Sequence, residues 1–243
     1  MSLIHVENVS KRYTRSERPK HLRQEFWQVL RGRTATTETP FYALSHVSFS
    51  VQEGECVGIV GRNGSGKTTL LRVLAGITQP TAGRVQVKGR FTALIALTAG
   101  FNIDRTGREN IYLSAAIHGL SPRATDRFID EIIAFSELEA FIDTAVRHYS
   151  SGMVARLGFS VAIHLLPDII FLDEILSVGD SGFQAKSFAR IEQFKKEGRT
   201  LLIVSHSDSL KTLTERTLWL DQGVLKMDGA TADVFAAYQQ TSG

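Results

Sequence analysis

A glycine-rich segment of the chain has the composition and spacing of a phosphate-binding loop. The apolar run from Cys56 to Val60 leads directly into GRNGSGKT, residues 61–68, and then into the helix-like sequence TLLRVLAG. Glycines let the backbone approach phosphate oxygens closely, and the amides at the start of the next helix point at the anion. In this strand, loop and helix context the segment predicts a nucleotide phosphate site.

Two residues of this loop have specific predicted roles. We expect Lys67 to neutralise the β and γ phosphates and to act in catalysis, and the Thr68 hydroxyl to coordinate Mg²⁺. The other loop residues expected to bind the nucleotide are Gly61, Asn63, Gly64, Ser65, Gly66 and Thr69.

Two other apolar runs end in residues that suit chemistry on a triphosphate. Asp173 follows residues 169–172, and the carboxyl ends of parallel strands meet at one sheet edge, so its carboxylate is predicted to hold Mg²⁺ through water. The next residue, Glu174, is predicted to orient and deprotonate the attacking water. A third run, residues 201–204, ends in Ser205 and His206, and this imidazole is predicted to sense the γ-phosphate.

Each of these residues also has a purely structural interpretation. An isolated acidic pair commonly starts a helix, and a histidine at the end of a strand is usually structural. The phosphate-binding loop requires an acidic strand end beside it, which favours the functional interpretation of Asp173 and Glu174.

The elements that must position these residues predict an α/β fold. The chain has 243 residues, 43% of them hydrophobic and 22% charged, which excludes the disordered, collagen-like and coiled-coil classes. Three continuous apolar runs separated by helical stretches are typical of a parallel sheet covered on both faces. Residues 3–9, and Val47, Phe49 and Val51 later, alternate in polarity and are predicted to pair as edge strands.

The cysteine count and hydropathy exclude other classes. Cys56 is the single cysteine, so disulfide frameworks and cysteine-based zinc sites are excluded and a reducing compartment is expected. No apolar run approaches the roughly 18 residues that a membrane span needs, and the N-terminus lacks a signal-peptide core. Any action at a membrane is therefore expected from the aqueous side.

The middle of the chain, residues 106–166, is predicted to be rich in helices. One helix is expected to start with Ser121 as its cap and Pro122 at its first position. Four apolar side chains then follow at helical spacing: Phe128, Ile129, Ile132 and Ile133.

Residues 14–40 form a basic insert between the two alternating runs. Residues 11–33 hold eight basic and two acidic side chains, whereas the whole chain carries a net charge of only +3. Leu22, Phe26, Val29 and Leu30 fall on one face of a short predicted helix. One hypothesis is that this insert reaches a membrane partner or anionic headgroups, and the alternative is an ordinary surface helix.

The motifs and their order resemble the nucleotide-binding subunit of ABC transporters over almost the whole chain. HYSSGM (residues 148–153) and SVGD (residues 177–180) complete the series that begins with the phosphate-binding loop. The resemblance implies one ABC ATPase domain over residues 1–243, with a mostly parallel P-loop core, an antiparallel β subdomain and a helical subdomain at about 100–166.

The resemblance also implies roles for individual residues, with ATP and Mg²⁺ as cofactors. Glu174 matches the catalytic glutamate, His206 the switch histidine and Asp180 the D-loop aspartate. Tyr13 lies where the family places an aromatic residue that stacks on adenine, and an ordinary tyrosine at a strand end is the alternative.

The signature segment YSSGM departs from the family pattern LSGGQ. Ser150 and Gly152 match the family's serine and second glycine, Ser151 replaces the first glycine and Met153 replaces the glutamine. A serine hydroxyl and free amides remain at the start of a helix predicted over residues 154–166. In the family these groups face the γ-phosphate of the other subunit, so the resemblance implies a head-to-tail dimer with two ATP molecules between the chains.

A second departure is the absence of the family's glutamine, whose expected place falls in residues 96–100, ALTAG. The surrounding TAGFNIDRTGRENIYL resembles subunits that export O-antigen, capsule and teichoic acid, several of which also lack it. This implies a peripheral motor subunit at the cytoplasmic face of the cytoplasmic membrane, paired with a transmembrane permease that exports a lipid-linked glycan. No nucleic-acid partner is expected.

Three alternatives remain open at this point. An ABC ATPase for another substrate, such as a lipid or a drug, fits the same motifs. The second is a soluble ABC ATPase acting on DNA or ribosomes, although such proteins usually carry two cassettes or long coiled coils. The third is a P-loop kinase, which explains neither YSSGM nor His206. The residues after His206 are predicted to form two strands (218–220 and 224–227) and a helix, with no glycan-binding module.

Overall fold

The structure is a computed structural model that describes residues 2–15, 39–94, 100–165, 167–173, 179–205 and 209–242. Two of the predicted catalytic residues, Glu174 and His206, lie outside these ranges. The apolar face predicted in the basic insert also lies outside these ranges. The same is true of residues 95–99, which include most of the segment expected to hold the family glutamine.

The described residues form nine strands: β1 (Ser2–Arg15), β2 (Thr39–Gln52), β3 (Cys56–Val60), β4 (Ala82–Val87), β5 (Phe91–Ala93), β6 (Ile169–Asp173), β7 (Thr200–Val204), β8 (Arg216–Asp221) and β9 (Val224–Ala230). They also form eight α-helices: α1 (Lys67–Leu74), α2 (Gly107–Ile117), α3 (Pro122–Thr125), α4 (Ile129–Ser136), α5 (Ser151–His164), α6 (Ser181–Lys196), α7 (Ser209–Leu213) and α8 (Thr231–Ser242). A short 3₁₀ helix, Val146–His148, precedes α5.

The smaller sheet is antiparallel and has the order β2-β1-β4. Val9 pairs with Val47, so the two alternating runs pair as predicted. The prediction that both are edge strands is wrong, because β4 pairs with the other side of β1. The sequence AGRVQV of β4 has glycine and arginine at its start and is largely exposed, so it lacks the apolar signal by which the other strands were recognised.

The larger sheet has the order β5-β6-β7-β3-β8-β9, and β9 alone among these strands runs antiparallel to its neighbour. The three continuous apolar runs are the adjacent strands β6, β7 and β3. Every residue of β3 and β7 is buried, because packed side chains cover both faces of the sheet. The carboxyl ends of these strands therefore meet at one edge, where the phosphate-binding loop begins.

The helix predicted to start after Ser121 differs in the structure. Ser121 caps α3 by accepting a hydrogen bond from the Ala124 amide, as expected. The single predicted helix is instead two helices, because Phe128 has φ −120° and ψ −8° and interrupts the helical backbone. The Tyr112 hydroxyl of α2 donates to the Asp126 carboxylate at 2.6 Å and holds the intervening turn against α2.

Both predicted strands after residue 206 are present as β8 and β9, and α8 follows them. None of the helices in the described part of the chain is both long enough and apolar enough to span a lipid bilayer.

Candidate nucleotide-binding site

The loop between β3 and α1 presents the amides of a helix start to the space above it. Gly66 is the N-cap residue of α1 with φ 106°, and no side chain makes a capping hydrogen bond there. The first amides of a helix have no partner within the helix, and the positive end of the helix dipole attracts anions. The loop is therefore suited to bind phosphate oxygens.

Two loop glycines are required by close backbone contacts. A Cβ at Gly61 would lie 2.1 Å from the Leu220 carbonyl oxygen, and one at Gly66 would lie 2.4 Å from the Ala43 carbonyl oxygen. Gly64 differs, because a Cβ there would meet no atom of the described residues within 4 Å. The loop therefore packs closely against β8 at Gly61 and against β2 at Gly66. No described residue packs as closely at Gly64.

The Lys67 side chain is folded back into the loop. Its ammonium donates hydrogen bonds to the carbonyl oxygens of Gly61 at 2.7 Å and Arg62 at 3.1 Å, and the residue is 6% exposed. A positive charge is thereby held beside the helix start, where it adds to the attraction for a polyphosphate.

An open cleft of about 490 Å³ lies above the loop. Eight of the predicted site residues line it: Tyr13, Asn63, Gly64, Gly66, Lys67, Thr68, Thr69 and Asp173. Asp173 reaches the cleft because it ends β6, where it pairs with Val204 of β7, and Val204 in turn pairs with Ile59 of β3. We call the part of the cleft formed by residues 63, 64 and 66–69 the phosphate cradle.

Thr68 and Asp173 fit a magnesium ion bound together with a nucleotide. Both residues line the same cleft, and both side chains carry oxygen atoms. Mg²⁺ prefers oxygen ligands and usually binds through one or two protein groups plus phosphates and water. Mg²⁺ coordination by these two residues stays a prediction.

The opposite end of the cleft is an aromatic wall formed by Tyr13 and Phe41. The two residues are partners in the β1–β2 register, and their ring centroids are 5.9 Å apart at an angle of 31°. The Lys11 ammonium lies 5.0 Å from the centre of the Tyr13 ring. This wall offers a planar surface for stacking with a nucleobase.

Phe41 was missed in the sequence. It lies just after the basic insert, and only the register of β2 against β1 places it opposite Tyr13. Its side chain is 51% exposed, which is unusual for a phenylalanine. The alternation that predicts β2 at Val47, Phe49 and Val51 is lost in residues 39–46, where the pairing with β1 continues.

Replacing Phe41 with alanine is expected to raise the Kd for ATP about fivefold, at the low end of the 1–3 kcal/mol measured for stacking of one base, because Tyr13 remains. Phe141→Ala is the matched control, since Phe141 is 50% exposed in the helical region and does not line the cleft. Calorimetric titration with ATP measures both. Equal affinity of wild type and Phe41→Ala would remove Phe41 from the site.

Gly61 and Ser65 were predicted to bind the nucleotide but do not line the cleft. Gly61 contacts β8, as described above. Ser65 is 3% exposed, and its hydroxyl lacks a hydrogen-bond partner among the described residues. It lines a groove on the other side of the loop with Arg62 and Trp219.

The signature segment also lies away from the cleft of its own chain. Ser150 caps α5, and its hydroxyl accepts a hydrogen bond from the Met153 amide at 3.2 Å. The helix begins at Ser151, three residues before its predicted start. A Cβ at Gly152 would lie 3.8 Å from its nearest neighbour among the described residues, so packing against that part of the chain does not require glycine there.

Asp180 does not line the cleft either. It caps α6 by accepting a hydrogen bond from the Phe183 amide at 3.0 Å, and it pairs with Arg156 of α5 at 2.7 Å. The Phe183 amide, with the Arg156 charge adding to it, holds the pKa of Asp180 below its usual range. Arg156 also binds Glu137 at 2.9 Å. Asp180 is therefore fixed to the helix that starts with the signature segment.

The fold and the cradle define an ATPase of the ATP-binding-cassette class. The family model described as "ABC transporter" matches residues 44–177. The chain belongs to the ABC transporter family, as its sequence resemblance predicted.

Relatives with known names are similar over most of the chain. It is 43% identical to an O-antigen export system ATP-binding protein of Klebsiella pneumoniae, over 88% of this chain and 85% of that protein. It is 42% identical to a protein of the same description from Myxococcus xanthus, over 97% of this chain and 54% of that protein. A teichoic acids export ATP-binding protein of Lactococcus lactis is 43% identical over 86% of this chain. The chain spans only about half the length of the last two relatives (54% and 45%).

Solved structures of ATP-binding cassettes share the fold. A dimeric cassette in a post-hydrolysis state with ADP and Pi has a TM-score of 0.73 at 22% identity, covering 93% of this chain and 98% of that one. The ATP-binding subunit of an ABC transporter has a TM-score of 0.75 at 20% identity, covering 98% and 93%. The predicted α/β fold with a P-loop core, an antiparallel sheet and a helical region is confirmed.

Proposed function

We propose that the chain is the ATP-hydrolysing motor subunit of a transporter that exports a lipid-linked polysaccharide across the cytoplasmic membrane. The observation that carries this proposal is the identity of 42–43% to the named O-antigen and teichoic acid export proteins. A transmembrane permease is then its partner, and the chain acts peripherally at the cytoplasmic face. An ABC transporter for a lipid or a drug is the second candidate, because the same nucleotide-binding motifs fit a transporter for either substrate.

In this proposal the cleft binds ATP from both ends. The aromatic wall of Tyr13 and Phe41 stacks on adenine, and the phosphate cradle binds the triphosphate through the amides of residues 64 and 66–69. Lys67 exchanges its two carbonyl partners for phosphate oxygens. Thr68 and Asp173 would hold Mg²⁺, which would supply positive charge to offset the negative charge of the phosphates.

Hydrolysis requires a base for the attacking water, and we assign this role to Glu174. It follows Asp173, which ends β6 beside the cradle. We assign contact with the γ-phosphate to His206, which follows the buried Ser205 after β7. Both assignments come from the sequence and its resemblance to the family.

The positions of Ser150, Ser151 and Gly152 support a composite site. These residues do not line the cleft of their own chain, yet Ser150 and Ser151 are exposed at the positive N-terminal end of α5. A second copy placed head to tail brings this helix start to the γ-phosphate. Two ATP molecules are then held between two chains, and Asp180 moves with the signature helix through Arg156.

Glu174→Gln is expected to lower the rate of ATP hydrolysis about a hundredfold or more, because an amide orients water but accepts no proton. The Kd for ATP should stay within about threefold of the wild-type value, because the loss of one carboxylate charge leaves the Lys67 charge and the amides of the phosphate cradle unchanged. The variant should therefore accumulate as a dimer with ATP and Mg²⁺, measured by light scattering. Glu192→Gln, an exposed position on α6, is the matched control, and a monomer at working concentration would contradict the assignment.

Export is tested in cells that lack this chain. Restoring the wild-type chain should return the polysaccharide to the surface, whereas Glu174→Gln should leave its lipid-linked precursor inside. The two pools are measured by surface labelling and by extraction of lipid-linked glycan. Normal surface glycan without the chain, together with loss of lipid or drug efflux, would favour the second candidate.

A further inference from the structure

The turn between β8 and β9 lies between the phosphate-binding loop and strand β2. Its two central residues, Gln222 and Gly223, have φ angles of 46° and 79°. Positive φ at both positions is typical of tight two-residue hairpins, and glycine adopts it without strain. Gly223 is buried, so this turn faces the rest of the protein.

Gly223 makes hydrogen bonds to the loop and to the strand that form the two ends of the nucleotide cleft. Its N–H donates to the Ser65 carbonyl oxygen at 2.9 Å, and its own carbonyl oxygen accepts from the Ser45 amide at 2.8 Å. Ser65 belongs to the phosphate-binding loop, whereas Ser45 belongs to β2, which carries Phe41. Gly223 therefore links the loop that forms the phosphate cradle to the strand that carries Phe41 of the aromatic wall.

There is no space for a side chain at this position. A Cβ at residue 223 would lie 2.8 Å from the Ala43 carbonyl oxygen, 3.0 Å from the Ala43 carbonyl carbon and 3.2 Å from the Leu44 Cα. These are backbone atoms of β2, so no side-chain rotation relieves the contact. Any side chain at 223 must push β2 away from the loop, against which Ala43 also packs at Gly66.

We propose that Gly223 is a positioning residue that sets the spacing between the aromatic wall and the phosphate cradle. The inference rests on the proposed binding of ATP along the cleft. One ATP molecule must reach both ends, and its length is fixed by its covalent bonds. If β2 shifts by a few tenths of an ångström, one ATP molecule can no longer fit the aromatic wall and the phosphate cradle equally well. Each end by itself remains able to bind its own part of a ligand.

The test compares ATP with inorganic tripolyphosphate, which has the phosphates but no base. For Gly223→Ala, the Kd for ATP is expected to rise on the order of tenfold, the scale of one lost base stack. The Kd for tripolyphosphate should change less than about threefold, and kcat at saturating ATP should likewise hold within about threefold, since the cradle and Lys67 are unmoved. A merely structural defect would weaken both ligands together.

Two controls separate the close contact from backbone strain. Gly229→Ala changes the same hairpin where a Cβ meets its nearest neighbour at 3.9 Å, and both affinities should match the wild type. Gly198→Ala introduces a side chain at φ 75° with nothing within 4 Å. It carries the strain of a positive φ angle without a clash, and it should leave the ratio of the two affinities unchanged.

A second variant decides the matter if Gly223→Ala does not fold. Exchanging the Ser45 amide for an ester removes the N–H that donates to Gly223 and adds no bulk, and it should raise the Kd for ATP but not for tripolyphosphate. Equal losses for both ligands, or no loss for ATP, in the folded variant would overturn the positioning role. A wild-type chain that does not hydrolyse ATP would instead overturn the proposed function.

Discussion

Lys67→Ala should reduce kcat/KM for ATP hydrolysis to about one thousandth of the wild-type value or less, the upper end of what one donor to a transition state contributes. The physical reason is the position of the ammonium. It lies in the loop, 6% exposed, between two carbonyl oxygens at the start of α1. Alanine leaves those carbonyls facing the phosphates without the cation that offsets their repulsion.

Steady-state release of phosphate measures this effect. Lys226→Ala is the matched control, because Lys226 is an exposed lysine on β9 that does not line the cleft. It loses the same charge and should keep wild-type kinetics. Turnover within tenfold of wild type in Lys67→Ala would show that the loop is not the site of hydrolysis.

The phosphate cradle was predictable from the sequence because its determinants are local. A buried strand, a glycine-rich loop and a helix follow one another without a gap, so the order of residues 56–74 is also their order in space. Asp173 was predictable for a related reason. It ends an apolar strand, and parallel strands in one sheet bring their carboxyl ends to the same edge.

The aromatic wall was only half predictable. Tyr13 was found through the family resemblance, whereas Phe41 depends on the register of β2 against β1, two strands separated by the basic insert. That register includes several β-bulges, and each bulge changes which side chains share a face. The alternation of apolar and polar residues in one strand therefore does not predict which residues of its partner strand lie on the same face beyond a bulge.

Gly223 shows a different limit. Its sequence context, DQGV, is that of an ordinary hairpin turn, and nothing in it points to the loop at residues 61–68. The contact arises because β8 is the neighbour of β3 in the larger sheet, which places the turn after β8 beside the loop after β3. Contacts between loops at one sheet edge follow from strand order, and strand order is a long-range property.

The site residues fall into two groups that one chain does not bring together. Asp173 and Lys67 line one cleft, whereas Ser150 starts a helix elsewhere. If each chain works alone, changes at Ser150 should leave hydrolysis intact. If the site is composite, they should abolish it.

Ser150→Asp tests this without unfolding the helix. Aspartate is also a good N-cap acceptor and is favourable at a helix start, so α5 should keep its stability. In a composite site the new carboxylate faces the γ-phosphate of the partner's ATP, and hydrolysis should fall to background. Ser121→Asp is the matched control, because Ser121 caps α3 in the same way.

Mixing two inactive variants gives the decisive result. In a dimer of one Lys67→Ala chain and one Ser150→Asp chain, one site receives both defects and the other receives none, because a symmetric interface exchanges the same two surfaces. An equal mixture holds half mixed dimers, so about a quarter of wild-type sites should be intact. In a Glu174→Gln background, isolated mixed dimers should therefore trap one ATP each, measured with labelled nucleotide, while dimers of either variant alone trap none. Dimers of Ser150→Asp alone that trap ATP in this background would show that each cleft works without the signature segment of its partner, and mixed dimers that trap none would overturn the composite site.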